Sequence, residues 1–518
     1  MRISTAGSVD DGKSTLIGRL LYDSKSIFED QLEALKNYSS AYRDVDIDYS
    51  LLTDGLKSER EQGITIDVAY RHFSTPKRRF IIADTPGHEQ YTRNMATGSS
   101  TSSLALILVD ATKGVVTQTK RHTFISSMLG IKHVIVAVNK MDLVQFSEEA
   151  FNTIANDYRA FSDKLVLESI QFIPLSALHG DNVIERSTKM LWYHGPSLLD
   201  YLETVTISTW RNLIDFRFPV QYINWGGRGS GLRGYSGTIA SGIIRPGEAV
   251  MVLPSRKESR VKKIVISGGD LPYAYAPQPV TLYLEDDIDI SRGDMIVRKK
   301  NLPSVAWNIE SNLVWMDDNQ LELGKTYLVK HTTHSVRGVV EDVIHRFDPE
   351  DLHRKPADSL HLNEIGRVSI RLLSPLYADP YATNRQTGSF ILIDPLTYHT
   401  SAAGMITRCH CREEDRLKTS SVSAQTYWYA GKSGAGRKKY VTMSAGGYPC
   451  IYLDDQILVQ GICHDVSGPD QRDAWLERVG YICKLANDAG ILVVIESVNS
   501  PDGTVRTIIG EKNIVYSN

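Results

Sequence analysis

The stretch GSVDDGKST near the start of the chain has the residue types that bind the phosphates of a nucleotide. Gly7 and Gly12 allow backbone N–H groups to turn toward phosphate oxygens, and Lys13 can reach the terminal phosphates. Ser14 supplies a hydroxyl that can bind Mg²⁺. The apolar segment at residues 3–5 and the helical pattern after the loop give the strand–loop–helix context that such a loop needs. We therefore predict a phosphate-binding loop formed by Gly7, Ser8, Val9, Asp10, Asp11, Gly12, Lys13, Ser14 and Thr15.

A second motif, DTPGH at residues 84–88, supplies groups that can contact a metal ion and the third phosphate. It follows the apolar stretch FIIA, so Asp84 comes at the carboxyl end of a strand, where its carboxylate can hold Mg²⁺ through water. Thr85 and Pro86 follow it, and the Gly87 N–H can sense the third phosphate. Upstream, Thr65 in SEREQGITID can complete the metal shell only while that phosphate is present, which describes a switch. The predicted metal ligands are Ser14, Thr65 and Asp84.

Hydrolysis needs a group that orients water opposite the departing phosphate, and His88 is the obvious candidate because it directly follows Gly87. Its position within DTPGH favours a catalytic role over a structural one. We predict that His88, Lys13 and Thr65 are the catalytic residues. No arginine stands where it would make an evident arginine finger, so we expect slow intrinsic hydrolysis that a partner accelerates.

Two later motifs predict that the base is guanine. NKMD follows the apolar stretch VIVAV, and the Asp142 carboxylate can accept two hydrogen bonds from the N1–H and the exocyclic amine of guanine. Adenine presents an acceptor at that point, and a buried carboxylate that faces an acceptor is strongly penalised. SAL follows the stretch FIPL and can bring backbone N–H groups to the guanine carbonyl. The predicted ligands are therefore GTP and Mg²⁺, and the predicted base-binding residues are Asn139, Lys140, Met141, Asp142, Ser176, Ala177 and Leu178.

The composition is that of a large globular protein with several domains. The chain has 518 residues, of which 42% are hydrophobic and 23% are charged, and this length exceeds what one core organises. The net charge of -3 gives no sign of the basic field that nucleic-acid binding uses, so we expect no nucleic-acid partner. Apolar stretches such as LALILV and ILVVI are far shorter than the roughly 20 residues of a membrane span. We predict no membrane segment and assign both stretches to buried parallel strands.

The amino terminus and the cysteines indicate a reducing, cytoplasmic location. Met1 and Arg2 run almost directly into the first strand, which leaves no room for a signal peptide. The five cysteines all fall late in the chain, and an odd number without regular spacing does not describe a disulfide framework. Cys409, His410 and Cys411 lack a matching second pair of ligands, so we predict a strand end there and not a metal site.

The hydrophobic pattern divides the chain into four parts. Residues 1–207 alternate strand and helix patterns and predict an α/β P-loop GTPase domain. Residues 208–303 and 304–418 have short alternating strands with glycine turns and predict two β-barrels. Residues 423–518 alternate strand and helix again and predict a small C-terminal α/β module, which makes the fold multidomain. SGGDLP at residues 267–272 resembles the start of an ATP pyrophosphatase loop but lacks its later acidic and hydroxyl positions, so we predict a turn.

A GTP-binding domain followed by two β-barrels resembles the translational GTPases such as elongation factor Tu. The stretches GSVDDGKSTLIGRLLYDS, SLLTDGLKSEREQGITIDVAY, DTPGHEQYTRNMATGSS and NRQTGSFILID resemble more closely the GTPase subunit of bacterial ATP sulfurylase, sulfate adenylyltransferase subunit 1. That resemblance covers about residues 2–417. Family members usually carry an extra segment before the first strand, so we expect a shortened start or a fragment.

The resemblance implies that GTP hydrolysis is coupled to the formation of adenylylsulfate and pyrophosphate from ATP and sulfate. Joining sulfate to AMP is steeply uphill, and GTP can supply the free energy only through a conformational coupling. In that family a separate catalytic subunit of the ATP pyrophosphatase type performs the adenylyl transfer. The resemblance therefore implies a hetero-oligomer with that subunit.

Two other functions remain open from the sequence. A translation factor that carries aminoacyl-tRNA shares the motifs and both barrels, although LLTDGLKSE and NRQTGSFILID favour sulfate activation. A regulatory subunit that binds GTP without hydrolysing it is the second alternative. Nucleotide-dependent tRNA binding would identify the first, and a lack of GTP hydrolysis would identify the second.

The stretches AGKSGAGRKKY, CIYLDDQILVQGI and DQRDAWLERVGYICKLANDAGILVVIESVNSP occur in this order near the end of the chain. On these stretches the chain resembles adenylylsulfate kinase from about Ser423 onward, but its phosphate loop is altered. AGKSGAGRKKY has Arg437 in place of the lysine that contacts the phosphates and Lys438 in place of the metal-binding hydroxyl. Gln456 and Val459 stand where the resemblance implies an acidic and a basic residue. We therefore expect no kinase activity.

The spacing after the altered loop adds a structural expectation. About a dozen residues separate Gly436 from Ile451, which predicts too little chain for a full helix and a return to the sheet. An arginine can still bind phosphate, so a weak or regulatory adenylylsulfate site remains an alternative. We favour a structural or partner-docking remnant.

Overall fold

The computed structural model describes most of the chain. The described residues are 1–25, 49, 67–88, 91–207, 212–225, 233–348, 352–411, 425–431, 434–445, 450–458, 472–488, 491–498, 500–510 and 513–517. Thr65, Val459 and Cys463 lie outside these ranges. The described residues form an α/β domain, two β-barrels and a second α/β unit, which confirms the predicted multidomain fold class.

The first α/β domain is built on a six-stranded sheet. Its strands are β1 (Arg2–Ala6), β2 (Ala69–Ser74), β3 (Arg79–Asp84), β4 (Leu104–Asp110), β5 (His133–Asn139) and β6 (Ser169–Pro174). The strand order is β2-β3-β1-β4-β5-β6, and neighbouring strands are parallel except for β2, which runs antiparallel to β3. Every residue of β4 and β5 is buried, as expected for parallel strands that are covered on both faces.

Helices cover this sheet and connect its strands. They are α1 (Lys13–Asp23), α2 (Thr92–Ser99), α3 (Thr117–Met128), α4 (Glu148–Ser162) and α5 (Leu198–Thr204), with a short 3-10 helix at Met141–Val144. The start of α4 is stabilised locally, because the Ser147 hydroxyl accepts the Ala150 N–H and two glutamates in the first turn interact favourably with the helix dipole. Among the described residues, no helix is both long and apolar enough to cross a membrane.

The first barrel follows this domain in the chain. Its strands are β7 (Arg217–Trp225), β8 (Arg233–Thr238), β9 (Ile243–Ile244), β10 (Ala249–Leu253), β11 (Lys257–Ile266), β12 (Gly269–Leu271), β13 (Ala274–Tyr275), β14 (Pro279–Leu284) and β15 (Met295–Arg298). Seven of these strands form the sheet, in the order β10-β15-β7-β8-β14-β11-β12, and pairing of β10 with β11 closes it into a barrel, whereas β9 and β13 pair with each other in a separate two-stranded sheet. Ser267 and Gly268 form a turn between β11 and its antiparallel neighbour β12, so the turn predicted at residues 267–272 is confirmed at its first two residues, whereas Gly269–Leu271 form β12.

The second barrel has the same kind of closure. Its strands are β16 (Ser304–Trp315), β17 (Thr326–His331), β18 (His334–Phe347), β19 (Arg354–Lys355), β20 (Ile365–Ala378), β21 (Ser389–Ile393) and β22 (Thr400–His410). The order is β17-β21-β22-β16-β20-β18-β19, and pairing of β17 with β18 closes the sheet. Cys409 and His410 are the last residues of β22, which confirms the predicted strand end.

Polar contacts join the second barrel to its two neighbours. The buried Arg217 of the first barrel donates to both carboxylate oxygens of Asp379, at 2.9 and 3.0 Å. On the other side, the Tyr381 hydroxyl donates to the Leu129 carbonyl at 3.0 Å, and the Arg385 guanidinium donates to the Gly130 carbonyl. Leu129 and Gly130 directly follow α3, so the second barrel contacts the end of a helix of the first domain.

The C-terminal unit is a four-stranded parallel sheet with helices. Its elements are β23 (Thr426–Ala430), α6 (Ala435–Ala445), β24 (Cys450–Asp454), α7 (Asp455–Ile457), α8 (Arg472–Asp488), β25 (Leu492–Ser497), α9 (Gly503–Ile509) and β26 (Ile514–Ser517). The strand order is β24-β25-β23-β26. Cys409, Cys411, Cys450 and Cys483, the cysteines within the described residues, form no disulfide with one another.

The prediction that the altered loop leaves too little chain for a helix is wrong. α6 has 11 residues, and β24 follows it and pairs in parallel with β25. A helix of this length rises about 16 Å at ~1.5 Å per residue, which matches a five-residue strand at ~3.3 Å per residue. The strands of this sheet are short, so a short helix completes the crossover.

Candidate nucleotide site

The predicted nucleotide-binding motifs meet at one edge of the first sheet. The loop at residues 7–15 follows β1 and continues into α1, and Asp84 is the last residue of β3. Asn139 is the last residue of β5, and Ser176, Ala177 and Leu178 come shortly after β6. Since these strands are parallel, their carboxyl ends lie at the same edge, which is where α/β proteins bind ligands.

Gly12 is required by the geometry of the phosphate loop. It precedes α1 with φ of 86°, a conformation that favours glycine. A Cβ atom there would lie 2.4 Å from Nδ2 of Asn139, so a side chain at this position would push Asn139 away from the loop.

The Asp11 side chain stabilises the loop by a hydrogen bond to the loop backbone. Its carboxylate accepts the Ser8 N–H at 2.6 Å, and the side chain is 2% exposed. Burial raises the pKa of Asp11 to about 6, although the Ser8 hydrogen bond acts in the opposite direction. From the sequence Asp11 was predicted only as a loop member. Its role in fixing the loop was missed, because an aspartate at this position has no distinctive local signal.

Lys13 and Asp84 join the phosphate loop to DTPGH. Lys13 Nζ lies 2.7 Å from Oδ1 of Asp84, and both side chains are buried. The Thr5 hydroxyl also donates to this carboxylate oxygen, at 3.3 Å. The residue predicted to reach the phosphates and the residue predicted to hold the metal are therefore direct neighbours.

The rest of DTPGH lies against the loop backbone. A Cβ atom on Gly87 would come within 2.4 Å of the Gly7 carbonyl oxygen, so only a glycine allows this approach. Thr85 is anchored by a 2.6 Å hydrogen bond from its hydroxyl to the Thr5 carbonyl. His88 is half-buried, and its ring centroid lies 6.2 Å from that of Tyr91 in an edge-to-face arrangement.

Asn139 connects the phosphate loop to the SAL segment. Its Nδ2 donates to the Asp11 carbonyl at 2.7 Å, and its Oδ1 accepts the Ala177 N–H at 2.9 Å. The side chain is 2% exposed, so both hydrogen bonds are protected from water. Asn139 therefore acts as a cross-link between two segments that are distant in sequence.

Asp142 of NKMD is partly exposed, and the two residues before it are held in place. The buried Met141 anchors the motif, and Lys140 has φ of 62° and lies 2.8 Å from a carboxylate oxygen of Asp110. The Asp142 carboxylate is 20% exposed and lies 3.9 Å from the His179 ring. The Lys140 contact was missed from the sequence, since Asp110 ends a different strand.

Asp110 remains ionised because of its partners. Burial opposes its ionisation, but hydrogen bonds from Lys140 and Thr112 outweigh this effect and hold the pKa of Asp110 below its ordinary value. The Lys140 side chain is therefore fixed beside the loop by a charged partner.

Comparison with known proteins identifies the family. Residues 1–208 match the family described as Elongation factor Tu GTP binding domain, and residues 308–407 match GTP-eEF1A C-terminal domain-like. A Bifunctional enzyme CysN/CysC of Rhodopirellula baltica is 49% identical over 545 residues, covering 99% of this chain and 84% of that protein. Sulfate adenylyltransferase subunit 1 of Bacteroides fragilis is 57% identical over 408 residues, covering 78% of this chain and 85% of that protein. The chain belongs to the sulfate adenylyltransferase subunit 1 family.

A third relative extends this similarity. A Bifunctional enzyme CysN/CysC of Mycobacterium tuberculosis strain H37Rv is 46% identical over 523 residues, covering 96% of this chain and 85% of that protein. The alignments with the two bifunctional relatives therefore cover nearly the whole of this chain. The C-terminal α/β unit is therefore part of the similarity.

The predicted metal ligands are only partly described in this family member. Ser14 is the second residue of α1 and directly follows Lys13, the partner of the Asp84 carboxylate. A hydroxyl and a carboxylate are hard oxygen donors, which fit Mg²⁺. Thr65, the third predicted ligand, lies outside the described residues. Within the described part of the chain, no group of three or more His, Cys, Asp and Glu side chains could hold a metal ion by itself.

Proposed function

We propose that this chain binds and hydrolyses GTP as the GTPase subunit of sulfate adenylyltransferase. A partner catalytic subunit uses that hydrolysis to form adenylylsulfate and pyrophosphate from ATP and sulfate. The observation that carries the proposal is the cross-link by Asn139, which holds the phosphate loop and the SAL segment in one site beside Asp142. Membership of the subunit 1 family supports the reaction to which this site is coupled.

The proposed roles of the site residues follow from their chemistry. Asp142 accepts two hydrogen bonds from guanine, and Lys13 neutralises the terminal phosphates. His88 orients the attacking water. Ser14, Asp84 and Thr65 are the proposed Mg²⁺ ligands, and the ion would neutralise charge on the phosphate oxygens when it is bound.

The proposed coupling runs from the nucleotide site to the second barrel. Asp84 begins the DTPGH segment, and α2 and α3 follow that segment in the chain. The end of α3 is bonded to Tyr381 and Arg385 of the second barrel. A movement of these helices when the third phosphate leaves would therefore shift the barrel contact, which is a physical route for conformational coupling.

We also propose the assembly and the division of the chain. The partner is a catalytic subunit of the ATP pyrophosphatase type, and the complex is a cytoplasmic hetero-oligomer. The proposed domains are residues 1–207, 208–303, 304–418 and 423–518. The overall net charge of -3 supports a protein partner over a nucleic acid.

The C-terminal unit is proposed to be a degenerate adenylylsulfate-kinase-like module without kinase activity. Arg437 and Lys438 are exposed on α6, in place of the phosphate-binding lysine and the metal-binding hydroxyl. The two aspartates at the end of β24 and the start of α7 have structural partners, since Asp454 accepts the Ile457 N–H at 2.9 Å and Asp455 accepts the Val498 N–H at 3.1 Å. Assay of the full chain for ATP-dependent phosphorylation of adenylylsulfate tests this, and turnover on the order of 1 per second would overturn it.

The main test measures pyrophosphate release by the chain and its partner, isolated together from the native extract. Release should require ATP, sulfate, GTP and the partner together. Asp142→Asn should weaken GTP binding, and His88→Ala should slow hydrolysis by roughly 10²–10⁴-fold. His194→Ala is the matched control, because His194 is an exposed histidine of the same domain.

The possible outcomes separate the candidate functions. Equal pyrophosphate release without GTP would refute the coupling. Nucleotide-dependent binding of aminoacyl-tRNA would favour the translation-factor alternative. GTP binding without hydrolysis, even with the partner present, would favour a regulatory subunit.

A further inference from the structure

The C-terminal unit carries an acidic side chain at the start of the helix that follows its altered phosphate loop. Glu496 belongs to β25, and its side chain is 6% exposed. Oε1 accepts the Gly434 N–H, and Oε2 accepts the Arg437 N–H at 3.3 Å. Residues 432 and 433 lie outside the described residues, and both donors belong to the described end of the loop next to α6.

A third donor completes the surroundings of this carboxylate. The Tyr452 hydroxyl, on β24, donates to Oε2 of Glu496 at 2.7 Å. Burial and the interaction with Glu496 raise the pKa of Tyr452 to about 12, so its hydroxyl stays protonated as a donor. Two backbone N–H groups and one hydroxyl therefore converge on one buried anion.

The position of this anion matches the part of a helix that attracts phosphate. The first N–H groups of a helix have no partner within it, and the helix dipole favours negative charge there. The fit is close, because a Cβ atom on Gly436 would lie 3.0 Å from Cβ of Glu496. A phosphate group entering here would meet a resident negative charge, and the donors that it needs are already bonded.

We propose that Glu496 is a built-in anion that occupies the anion-binding position at the start of α6, so that this end of the helix is held by a negative charge without a nucleotide. The inference rests on the proposed loss of kinase activity and gives it a physical reason beyond the changes at Arg437 and Lys438. The unit keeps the fold of a nucleotide-binding module, while its own side chain replaces the ligand.

Chemical rescue tests the inference in the full-length chain saturated with GDP. Amide hydrogen exchange of residues 434–445 is measured by mass spectrometry in inorganic phosphate and in chloride at equal ionic strength. Glu496→Ala empties the anion position, so exchange in chloride should be roughly tenfold faster than in the parent chain. Inorganic phosphate should restore the slower exchange in a saturable manner, whereas the parent chain should not respond.

Two further variants show whether the effect depends on the charge of Glu496 and on its position. Glu496→Gln keeps the volume but not the charge, so its exchange should be faster than that of the parent and should not respond to phosphate. Glu477→Ala removes an exposed glutamate from α8 and should behave like the parent. If Glu496→Ala aggregates, the comparison of Glu496→Gln with the parent decides, and equal protection of residues 434–445 in these two chains overturns the inference.

The failure of this inference differs from the failure of the proposed function. An adequately folded Glu496→Ala chain that shows no phosphate-dependent protection refutes the built-in anion, even if kinase activity is absent. Kinase turnover by the parent chain instead refutes the proposed loss of activity. Such turnover would also require Glu496 to leave the loop.

Discussion

At the scale of single residues, Asn139 links two parts of the site that the sequence assigns to separate tasks. Its side chain makes two buried hydrogen bonds, one to the phosphate loop and one to the SAL segment. The Asn139→Ala variant would leave the Asp11 carbonyl and the Ala177 N–H without these partners. A buried hydrogen bond contributes about 0.5–1.5 kcal/mol net, so GDP affinity should fall by roughly 10–100-fold in isothermal titration calorimetry.

The matched control for this variant is Asn152→Ala, since Asn152 is exposed on α4. That control should bind GDP as the parent does. An Asn139→Ala chain with unchanged GDP affinity would show that the two hydrogen bonds do not organise the site.

Asp11 gives a prediction about pH, because its folded-state pKa is raised from 3.8 to about 6 by burial. As the pH rises from 3.8 to about 6, Asp11 loses its proton in the unfolded state but keeps it in the folded state, so the folded state becomes less stable relative to the unfolded state. The destabilisation reaches its full size above about pH 6. A shift of this size corresponds to about 3 kcal/mol. Asp11→Asn should therefore raise the thermal unfolding midpoint at pH 7.5, and the gain should shrink toward pH 4.5.

Asp10→Asn is the control for this titration, because the adjacent Asp10 is exposed. It should change the unfolding midpoint little at either pH. The same gain for Asp11→Asn at both pH values would contradict the assigned cause, since a benefit that is independent of pH cannot come from removing an ionised group.

At the scale of secondary-structure elements, α3 combines a buried position with polar side chains. Thr119 Oγ1, His122 Nδ1 and Ser126 Oγ are buried, and none has a hydrogen-bond partner among the described residues. Burial, with smaller contributions from the charges of Lys13 and Arg121, lowers the pKa of His122 to about 3. The helix is therefore most stable while this imidazole is neutral.

The consequence is acid sensitivity that depends on His122. Below pH 6.5 the unfolded state binds a proton that the folded state does not bind until about pH 3, so stability falls as the pH is lowered through this range. His122→Phe should reduce the slope of unfolding free energy against pH by about 1.4 kcal/mol per pH unit between pH 6 and 4. Urea unfolding at several pH values measures this slope. His194→Phe, at an exposed site, should leave the slope unchanged, and an unchanged slope in His122→Phe would rule out this role.

The sequence predicts elements better than it predicts the contacts between them. The strand–loop–helix unit around residues 7–15 and the buried strands β4 and β25 follow from local patterns, and the structure has them as predicted. Asn139 and its partner Asp11 are 128 residues apart, and Glu496 and Arg437 are 59 residues apart. Such pairs depend on strand order, which local periodicity does not encode. The failed prediction about α6 has a related cause, since the required crossover length depends on strand lengths elsewhere in the sheet.

At the scale of the whole molecule, the second barrel is bonded on two sides. The buried pair of Arg217 and Asp379 fixes it to the first barrel, and Asp379 also accepts the Thr387 hydroxyl at 2.6 Å. Removing one partner of a buried ion pair leaves an uncompensated charge, which costs about 3–5 kcal/mol. The two barrels are therefore expected to move together, so that any adjustment occurs at the contact with the first domain.

Arg385 tests whether that contact transmits the effect of GTP. Its guanidinium donates to the Gly130 carbonyl at the end of α3, away from the nucleotide site. Arg385→Ala should leave GDP affinity nearly unchanged. The stimulation of pyrophosphate release by GTP, measured with the partner subunit, should fall by roughly 5–150-fold, which is the factor that typical allosteric coupling energies produce. Arg371→Ala, which removes an exposed arginine from β20, is the control and should retain the stimulation. Full stimulation in Arg385→Ala would mean that the second barrel does not relay the state of the nucleotide through α3, and the partner would then have to contact the first domain directly.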